Sequence, residues 1–343
     1  MTGAAFAAVV LAGVLAACGS GASSGGASSG AGGAFPVTIA HKFGSTEIPA
    51  EPKRVVTLGY TDQDPVMALG VVPVGTTEWY GEYPGALWPW AKEKLGSAPL
   101  PTVLPTADTV PIEQVAALKP DLILSLYGGL TQADYDLLSR IAPTVDQPQG
   151  VQDYGIPWDE QTRIVGKALG RSEQAEQMIG DVRAKIDRTK AAHPQWAGKK
   201  VITAGWFKEQ WYVYSSKDPR GELLTELGMT VPAEFDRLAG DKFGSYISLE
   251  RADLLDVDGI VWVTFADGEE AAIKSSPGYA QGPVVKQGRA LYISSEGRNN
   301  LDPMTGYITV LSLPRLLDAL PPQLDAVLDG NPATTPPAVA PSS

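Results

Sequence analysis

The residue types that most often do chemistry are scarce in this sequence. It contains one cysteine, Cys18, and two histidines, His41 and His193. These are too few for a disulfide framework, a CxxC redox site or a Cys/His zinc cluster within one chain. Two G-x-S-x-G pentapeptides, at 21–25 and 26–30, lie in low-complexity sequence without the strand and helix that a nucleophile elbow needs. Any chemistry must therefore use carboxylates, arginines, hydroxyls and aromatic rings.

Cys18 ends an N-terminal segment that is typical of a bacterial lipoprotein. The run 4–17 is small and apolar, is too short to span a bilayer about 30 Å thick, and ends in Leu-Ala-Ala before the cysteine. We therefore predict a signal peptide over 1–17, lipidation of Cys18, and a flexible Gly/Ser/Ala linker over 18–36. The alternative, a buried cysteine in an apolar helix, is disfavoured because this linker cannot cover such a helix. The expected location is the outer face of the cytoplasmic membrane or the cell envelope, with acyl chains in the membrane.

The charge balance argues against nucleic acid as a partner. Lys and Arg number 27 against 39 Asp and Glu, giving a net charge of −12, whereas a nucleic-acid-binding surface needs clustered cations. The length of 343 residues allows about two domains of ordinary size. Residues 331–343 are rich in Pro, Ala, Thr and Ser, and we predict that they form a disordered tail.

The sequence repeats a pattern in its two halves. Each half opens with a β-branched run after a basic pair, continues to an apolar helical stretch that ends at a glycine, and then reaches a helix followed by a strand. The matching segments are 53–59 and 199–205, 68–71 and 226–229, and 112–124 and 249–261. Their common order predicts an α/β fold of two lobes, 53–155 and 199–325, each with a mainly parallel sheet and crossover helices. The cleft between two such lobes is the expected ligand site.

The connection between the lobes is predicted to be a long, rigid backbone helix over 158–193. Residues 158–169 are helical in pattern, Gly170 interrupts them, and Ser172 is suited to N-cap a second helix that ends before Pro194. The apolar positions of the second helix follow helical spacing and are Ala175, Met178, Ile179, Val182 and Ile186. Because a helix is stiffer than a pair of extended strands, we expect little hinge motion.

Aromatic residues gather after the predicted strands and supply most of the candidate ligand contacts. A large aromatic side chain buries about 150–250 Å², so a cluster of such rings needs a cover, either a ligand or the irregular loops above the core. Core packing is favoured for Trp90, Trp158, Trp196 and Trp262. The candidate ligand-binding residues are Tyr60, Trp79, Tyr80, Trp88, Tyr127 and Trp206, together with Arg298.

Two charged motifs allow more than one interpretation. Arg298 lies in a polar loop after the strand predicted at 290–293, where it is either a surface charge or a planar five-donor fork for an oxygen-rich ligand. Asp62 and Asp64 resemble a metal-binding pair, but they precede Pro65 and an apolar helix. Acidic residues favour the positive end of a helix, so we assign these carboxylates to the helix start rather than to a metal.

The segments 52–56, 68–75 and 112–123, with the interlobe helix, resemble a known family. It is the helical-backbone cluster of bacterial ABC-transporter substrate-binding proteins, which carry ferric siderophores, haem or cobalamin, and the resemblance covers about 52–325. Residues 41–95 are similar to actinobacterial members of the iron-dicitrate-binding type. The resemblance implies a non-enzymatic receptor without a resident cofactor. Its ligand would be a ferric siderophore, and its partner an ABC permease dimer with its ATPase.

The same resemblance gives a role to two glutamates. In that family a glutamate on the corresponding helix of each lobe docks onto arginines of the dimeric permease, and these positions are Glu113 and Glu250 here. The internal repeat pairs the same two residues. Taken alone, each would be a solvated glutamate near the positive end of a helix. Two carboxylates on matching helices of two lobes can meet two symmetric arginine patches at once.

Two other functions stay open from the residues themselves. A secreted enzyme with two α/β lobes could use carboxylate chemistry, although His and Cys are scarce and no structured nucleophile elbow is present. A haem-binding lipoprotein, or one that binds cobalamin, would use the same aromatic cleft. Carboxylate, hydroxamate and catecholate chelates all suit aromatic walls with basic residues, so the class of siderophore stays open as well.

Overall fold

The computed structural model describes residues 35–105, 109–294, 301 and 306–339. The predicted signal peptide, Cys18 and most of the linker therefore lie outside the described residues, as does Arg298. Within the described part, none of the helices is both long enough and apolar enough to cross a membrane.

Strands and short helices alternate along most of this chain. The strands are β1 (Val37–His41), β2 (Gly44–Ile48), β3 (Val55–Thr57), β4 (Gly75–Thr77), β5 (Thr102–Leu104), β6 (Leu122–Ser125), β7 (Thr144–Asp146), β8 (Val201–Phe207), β9 (Gln210–Tyr214), β10 (Gly244–Ile247), β11 (Gly259–Thr264) and β12 (Ala290–Ser294). The α-helices are α1 (Gln63–Ala68), α2 (Pro89–Lys92), α3 (Ile112–Ala117), α4 (Gln132–Leu138), α5 (Trp158–Ala168), α6 (Ser172–Ala192), α7 (Pro219–Glu226), α8 (Ala233–Ala239), α9 (Glu269–Ser275), α10 (Pro283–Lys286) and α11 (Ser312–Leu328). Short 3₁₀ helices cover Pro84–Ala86, Pro194–Trp196 and Leu249–Leu255. The helices of fewer than about twelve residues depend for their stability on packing against the sheets rather than on their own helix propensity.

Two sheets of matching strand order form the two lobes. The first-lobe sheet runs β5-β4-β3-β6-β7 with every neighbouring pair parallel. The second-lobe sheet runs β10-β9-β8-β11-β12, and β9 is antiparallel to both of its neighbours. A two-residue turn at 208–209 joins β8 directly to β9, with positive φ at both residues (52° and 57°), as in a type I′ turn. The prediction of two α/β lobes is confirmed; the sheet of the first lobe is parallel throughout, whereas the sheet of the second lobe is mixed, with two parallel and two antiparallel strand pairs.

The internal repeat has a structural cause at the start of each sheet. In the first lobe the Asp121 carboxylate accepts hydrogen bonds from the backbone N–H groups of Lys53 and Arg54, each at 2.8 Å. In the second lobe Asp258, the repeat partner of Asp121, accepts from the N–H of Lys200 at 2.7 Å. Each aspartate therefore joins the central strand of its lobe to the neighbouring strand.

The first helix of each sheet ends in the same way. Gly70 follows α1 with φ +79°, and Gly228 follows α7 with φ +95°. In both cases the residue after the glycine donates its N–H to the carbonyl five residues earlier, which is a Schellman motif. Glycine is required at this point because the left-handed backbone costs other residues more. The two helix ends predicted from the sequence are confirmed.

The backbone between the lobes consists of α5 and α6, separated at Gly170 as predicted. Gly170 has φ +68°, but Ser172 is the first helical residue of α6 rather than its N-cap, a position that Arg171 occupies without a side-chain cap bond. Ala175 packs into the core of the first lobe, whereas Ile186 packs into that of the second. The 21 residues of α6 span about 32 Å, and the helix is embedded in both cores.

The ordered body extends beyond both predicted lobe boundaries. The β1–β2 hairpin precedes residue 53, and its side chains Ile39 and Ile48 are buried in the first-lobe core. At the other end, residues 331–339 lie against the second lobe, where the side-chain amide of Gln323 donates to the carbonyl of Pro337 at 2.7 Å. These contacts lie outside the two lobes that the repeat pattern predicted.

Candidate ligand-binding site

Aromatic side chains line the carboxyl ends of the parallel strands in the first lobe. Tyr60 follows β3, Trp79 follows β4 and Tyr127 follows β6, so the strand order brings all three to one edge of the sheet. The Tyr60 and Trp79 rings stack with centroids 5.2 Å apart, and the Tyr127 ring lies 6.0 Å from that of Trp79. The structure therefore brings together three of the predicted ligand residues.

Tyr154 extends this wall towards solvent. Its ring stacks on Tyr60 at 5.6 Å and is 40% exposed. It lies in the loop between β7 and α5 with φ +63°, an uncommon backbone conformation for a residue other than glycine. Beside these rings is a cavity of about 180 Å³, which we call the first-lobe cavity; its lining includes Ser125 and Asp134.

The β8–β9 hairpin provides the wall of the second lobe. Side chains alternate along a strand, and the register pairs Gly205 with Tyr212, so Phe207, Tyr212 and Tyr214 share one face. They line a cavity of about 630 Å³, which we call the second-lobe cavity. Its other side chains include Leu238, Lys242 and Tyr246. Leu238 and Tyr246 are each 47% exposed, so a ligand can cover apolar surface here.

Trp206 points to the other side of the same strand. It pairs with Trp211 in the ladder, and both pack against the core that contains Trp262. The alternation that places Phe207 at the cavity turns its neighbour Trp206 towards the core. The structure therefore corrects the prediction for Trp206, because Phe207 is the ring of β8 that lines the second-lobe cavity.

Trp88 is buried beneath the first wall instead of lying at its surface. It is 1% exposed, and its ring contacts those of Tyr80 at 5.3 Å and Tyr307 at 4.9 Å. This packing corrects the prediction of a direct ligand contact, since Trp88 supports Tyr80 from below. The core assignment is confirmed for the four tryptophans Trp90, Trp158, Trp196 and Trp262, all of which are buried.

Tyr80 and Phe265 join the two walls. Their ring centroids are 5.9 Å apart, and Phe265 lies 5.7 Å from Phe207. Tyr80 also contacts Trp79 at 5.0 Å, and Trp79 in turn stacks on Tyr60. The rings therefore form a continuous aromatic surface from the first lobe to the second, which we call the aromatic bridge.

Arg220, on α7, lies near the contact between the two lobes. It is 6% exposed, and Nη1 donates to both carboxylate oxygens of Asp218 at 2.8 and 2.9 Å. The guanidinium carbon lies 4.3 Å from the centroid of the Tyr214 ring. Burial is the largest influence on Arg220 and acts to lower its pKa, but the Asp218 carboxylate together with Tyr214 and Tyr127 outweighs it, so the pKa is raised and the charge is retained.

The neighbouring phenols stay protonated. Burial raises the pKa of Tyr127 and raises that of Tyr214 to about 12, and the positive charge of Arg220 opposes both rises. Tyr127 belongs to the first lobe and Tyr214 to the second, so Arg220 is close to both lobes. The arrangement offers O–H and guanidinium donors next to aromatic faces, which suits an oxygen-rich ligand with an apolar exterior.

A buried carboxylate holds the first wall in place. Asp62 accepts hydrogen bonds from the backbone N–H groups of Leu126 (2.8 Å) and Tyr127 (3.0 Å) and from the side-chain amide of Gln161 (2.8 Å). Burial raises the pKa of Asp62, and these hydrogen bonds oppose the rise. Asp62 is the N-cap residue of α1, in agreement with its assignment to the helix start, but its carboxylate makes no cap bond there.

Asp64 ties the first lobe to the segment that precedes α11. Its Oδ2 accepts hydrogen bonds from Trp90 Nε1 at 2.7 Å and Thr309 Oγ1 at 2.6 Å, and burial raises its pKa to about 6. Asp64 lies in the first turn of α1, as the helix-start assignment predicts, and its carboxylate is a structural anchor as well. Among the described residues, no three His, Cys, Asp or Glu side chains are grouped so that they could ligate a metal ion.

Comparison with known proteins identifies the family. Residues 55–296 match the family model described as periplasmic binding protein. The chain belongs to the periplasmic binding protein family. The Fe(3+)-citrate-binding protein YfmC of Bacillus subtilis is 25% identical to this binding protein over 248 residues, which are 72% of this chain and 74% of YfmC.

Solved structures agree with the fold of this binding protein. A periplasmic solute binding protein from Mycobacterium smegmatis is 34% identical, with a TM-score of 0.76 over 85% of this chain and 98% of the other. PiaA of Streptococcus pneumoniae, solved in complex with ferrichrome, is 28% identical. Its TM-score is 0.71, over 86% of this chain and 99% of PiaA. The resemblance inferred from the sequence is therefore confirmed at the level of family and fold.

Glu113 and Glu250 occupy matching positions in the two lobes of the binding protein. Glu113 is the second residue of α3 and Glu250 the second residue of the 3₁₀ helix Leu249–Leu255, and both are exposed. Each helix leads into the strand beside the first strand of its sheet, so both helices begin at the carboxyl edge of their sheets. The permease role of these glutamates stays a prediction.

A further cavity of about 430 Å³ lies on the other side of α7 from Arg220. It is lined by Asp159 and Arg183 from the backbone helices and by Glu222 and Glu226 from α7. Arg183 pairs with Asp159 at 2.5 Å and approaches Glu226 to 3.7 Å. Burial, followed by the charges of Glu226 and other nearby carboxylates, raises the pKa of Glu222 to about 7.

Replacing Glu222 by glutamine is expected to stabilise the binding protein at alkaline pH. The folded state holds the Glu222 proton more tightly than the unfolded state, so stability falls as pH rises from about 4.5 to about 7. Glu222→Gln removes this loss and should raise the free energy of unfolding at pH 8 by about 1–2 kcal/mol, after allowance for solvent screening. Denaturant unfolding at pH 4.5 and pH 8 measures this change in the free energy of unfolding, and Glu173→Gln serves as the control. An equal gain at both pH values would contradict the assignment to Glu222.

Proposed function

We propose that this chain is the substrate-binding component of an ABC importer and that it captures a ferric siderophore between its lobes. The observation that carries the proposal is the aromatic bridge, with Arg220 near the contact between the lobes. An aromatic surface contributed by both lobes can enclose a bulky chelate, and a buried guanidinium can donate to its oxygen atoms. The protein acts as a receptor, without chemical conversion of the ligand.

The ligands of similar proteins support this choice. YfmC is named for ferric citrate, and PiaA was solved with ferrichrome. Both ligands are iron chelates with many oxygen atoms. Iron reaches the cleft already enclosed by its chelator, so the protein needs surfaces that recognise the outside of the complex.

Intrinsic fluorescence tests the receptor function. We expect at least one ferric siderophore to bind with micromolar or better affinity and to quench tryptophan emission, since Trp79 lies in the aromatic bridge. Titration with ferric siderophores, haem and cobalamin measures this, and Trp79→Phe should remove much of the quenching. The receptor proposal fails if emission is unchanged throughout and calorimetry detects no heat of binding, whereas selective binding of haem would favour the alternative haem-binding function.

Delivery to the transporter is the second part of the proposal. Glu113 and Glu250 are exposed, occupy equivalent positions in the two lobes, and each lies in the first turn of a short helix. A single exposed ion pair contributes about 0–1 kcal/mol. Two such contacts made together by a two-lobed carrier on a dimeric permease add orientation and avidity, so docking is specific but reversible.

Lipidation of Cys18 gives a separate prediction. Cys18→Ser is expected to release the protein from membranes, because this cysteine is the only one in the sequence and so the only thiol available for acylation. Globomycin should leave an uncleaved precursor of the wild type. Membrane fractionation measures both effects, and retention of the serine variant on washed membranes would rule out anchoring through Cys18.

A further inference from the structure

The cleft has an aromatic surface but little net charge. Lys242 is the only formally charged side chain among the described residues that line the second-lobe cavity, and Asp134 is the only one in the first-lobe cavity. Between the lobes Arg220 is paired with Asp218. Counted over these four side chains, the formal charge is zero.

The surroundings of the aromatic bridge add negative charge. Glu78 precedes Trp79, and its pKa is raised by burial and then by the nearby Glu82. The whole chain carries a net charge of −12.

Charge distinguishes the main classes of ferric chelate. Three hydroxamate groups each lose one proton and together neutralise Fe³⁺, which gives an uncharged complex. Three catecholate groups each lose two protons and leave three negative charges, and ferric dicitrate is also an anion. An anion that enters an aromatic cleft loses its hydration and needs cationic partners to recover that loss.

On the basis of the proposed function, we infer that the ligand is an electroneutral ferric complex of the hydroxamate class. The two cavities and the Arg220–Asp218 pair provide no excess of cations for an anionic chelate. The aromatic faces of the bridge suit the apolar exterior of a neutral complex. The guanidinium and the phenols of Tyr127 and Tyr214 suit the oxygen atoms around its iron.

A series of ligands with one iron centre tests the role of charge. Ferrioxamine B carries a free amine and is a monocation, its N-acetyl derivative is neutral, and its N-succinyl derivative is a monoanion. We expect the full chain to bind the neutral complex at least tenfold more tightly than the monoanion at low salt. Ferrichrome should likewise bind more tightly than ferric dicitrate and ferric enterobactin. The inference is overturned if an anionic complex is the tightest ligand, while failure of every ferric complex would instead refute the proposed function.

Variants of the charged cavity residue provide a matched control. Lys242→Glu is expected to shift the preference within the ferrioxamine series about tenfold towards the cation. Lys286→Glu alters the net charge equally on an exposed residue of α10, outside the cavity lining, and should leave the series unchanged. Equal shifts in both variants, or none in Lys242→Glu, would show that the cavity charge does not select the ligand.

Discussion

Substitution of Arg220 by methionine is expected to weaken binding of the ferric ligand about 100-fold. The guanidinium is buried, charged and close to both lobes. When the cleft encloses a chelate, no water can replace the hydrogen bonds that the guanidinium donates to the oxygen atoms of the ligand. A hydrogen bond to a charged group contributes about 1.5–3 kcal/mol, and a 100-fold change in affinity corresponds to about 2.7 kcal/mol. Calorimetry with the ligand identified by the fluorescence titration measures the change.

Controls separate ligand contact from a loss of folding. Arg220→Lys keeps the positive charge that Asp218 needs but loses the planar fork, so it should fold normally and bind about tenfold more weakly. Arg289 is also paired with an aspartate, Asp256, but it lies at the amino end of β12, away from the cleft. Arg289→Met should leave affinity unchanged. Wild-type affinity in folded Arg220→Met would exclude Arg220 from the site.

Charge reversal at Glu113 and Glu250 is expected to separate capture from delivery. Glu113→Arg and Glu250→Arg should leave ligand affinity within about 1 kcal/mol of wild type, because surface substitutions away from a site have small effects. Uptake of the iron complex should fall at least about tenfold in either variant. Each substitution turns an attractive pair into like charges at the permease, and loss of one contact also reduces the effective concentration that holds the second.

Radiolabelled iron uptake in cells that express each variant at wild-type level measures delivery. Glu173, an exposed glutamate in the first turn of α6, provides the matched control. Glu173→Arg should transport normally. Normal uptake by the double variant at Glu113 and Glu250 would show that these residues are solvated helix starts and take no part in docking.

The two-lobed fold could be predicted because its signals repeat in the sequence. The aspartates that join neighbouring strands and the glycines that end the first helices recur in both halves, for the same physical reasons. The β8–β9 hairpin could not be predicted, because its turn at 208–209 is Lys-Glu, without the Asn-Gly or Asp-Gly that usually marks positive φ at both positions. Tertiary contacts of the hairpin evidently outweigh this local preference.

The candidate site was only partly predictable. Strand ends identified Tyr60, Trp79 and Tyr127, since rings that follow adjacent parallel strands meet at one edge. Arg220 was missed because its role depends on Asp218 and on the opposite lobe, which no local pattern reveals. Trp206 was chosen instead of Phe207 because aromatic composition alone does not give the direction of a side chain along a strand.

The placement of α6 has a consequence for transport kinetics. A helix embedded in the cores of both lobes limits the rotation of one lobe relative to the other. The docking surface of the empty protein is therefore nearly the same as that of the ligand-bound protein. Empty carriers must then compete with loaded carriers for the same docking surface. We therefore expect uptake to pass through a maximum as carrier abundance increases at fixed ligand supply, because excess empty carrier acts as an inhibitor.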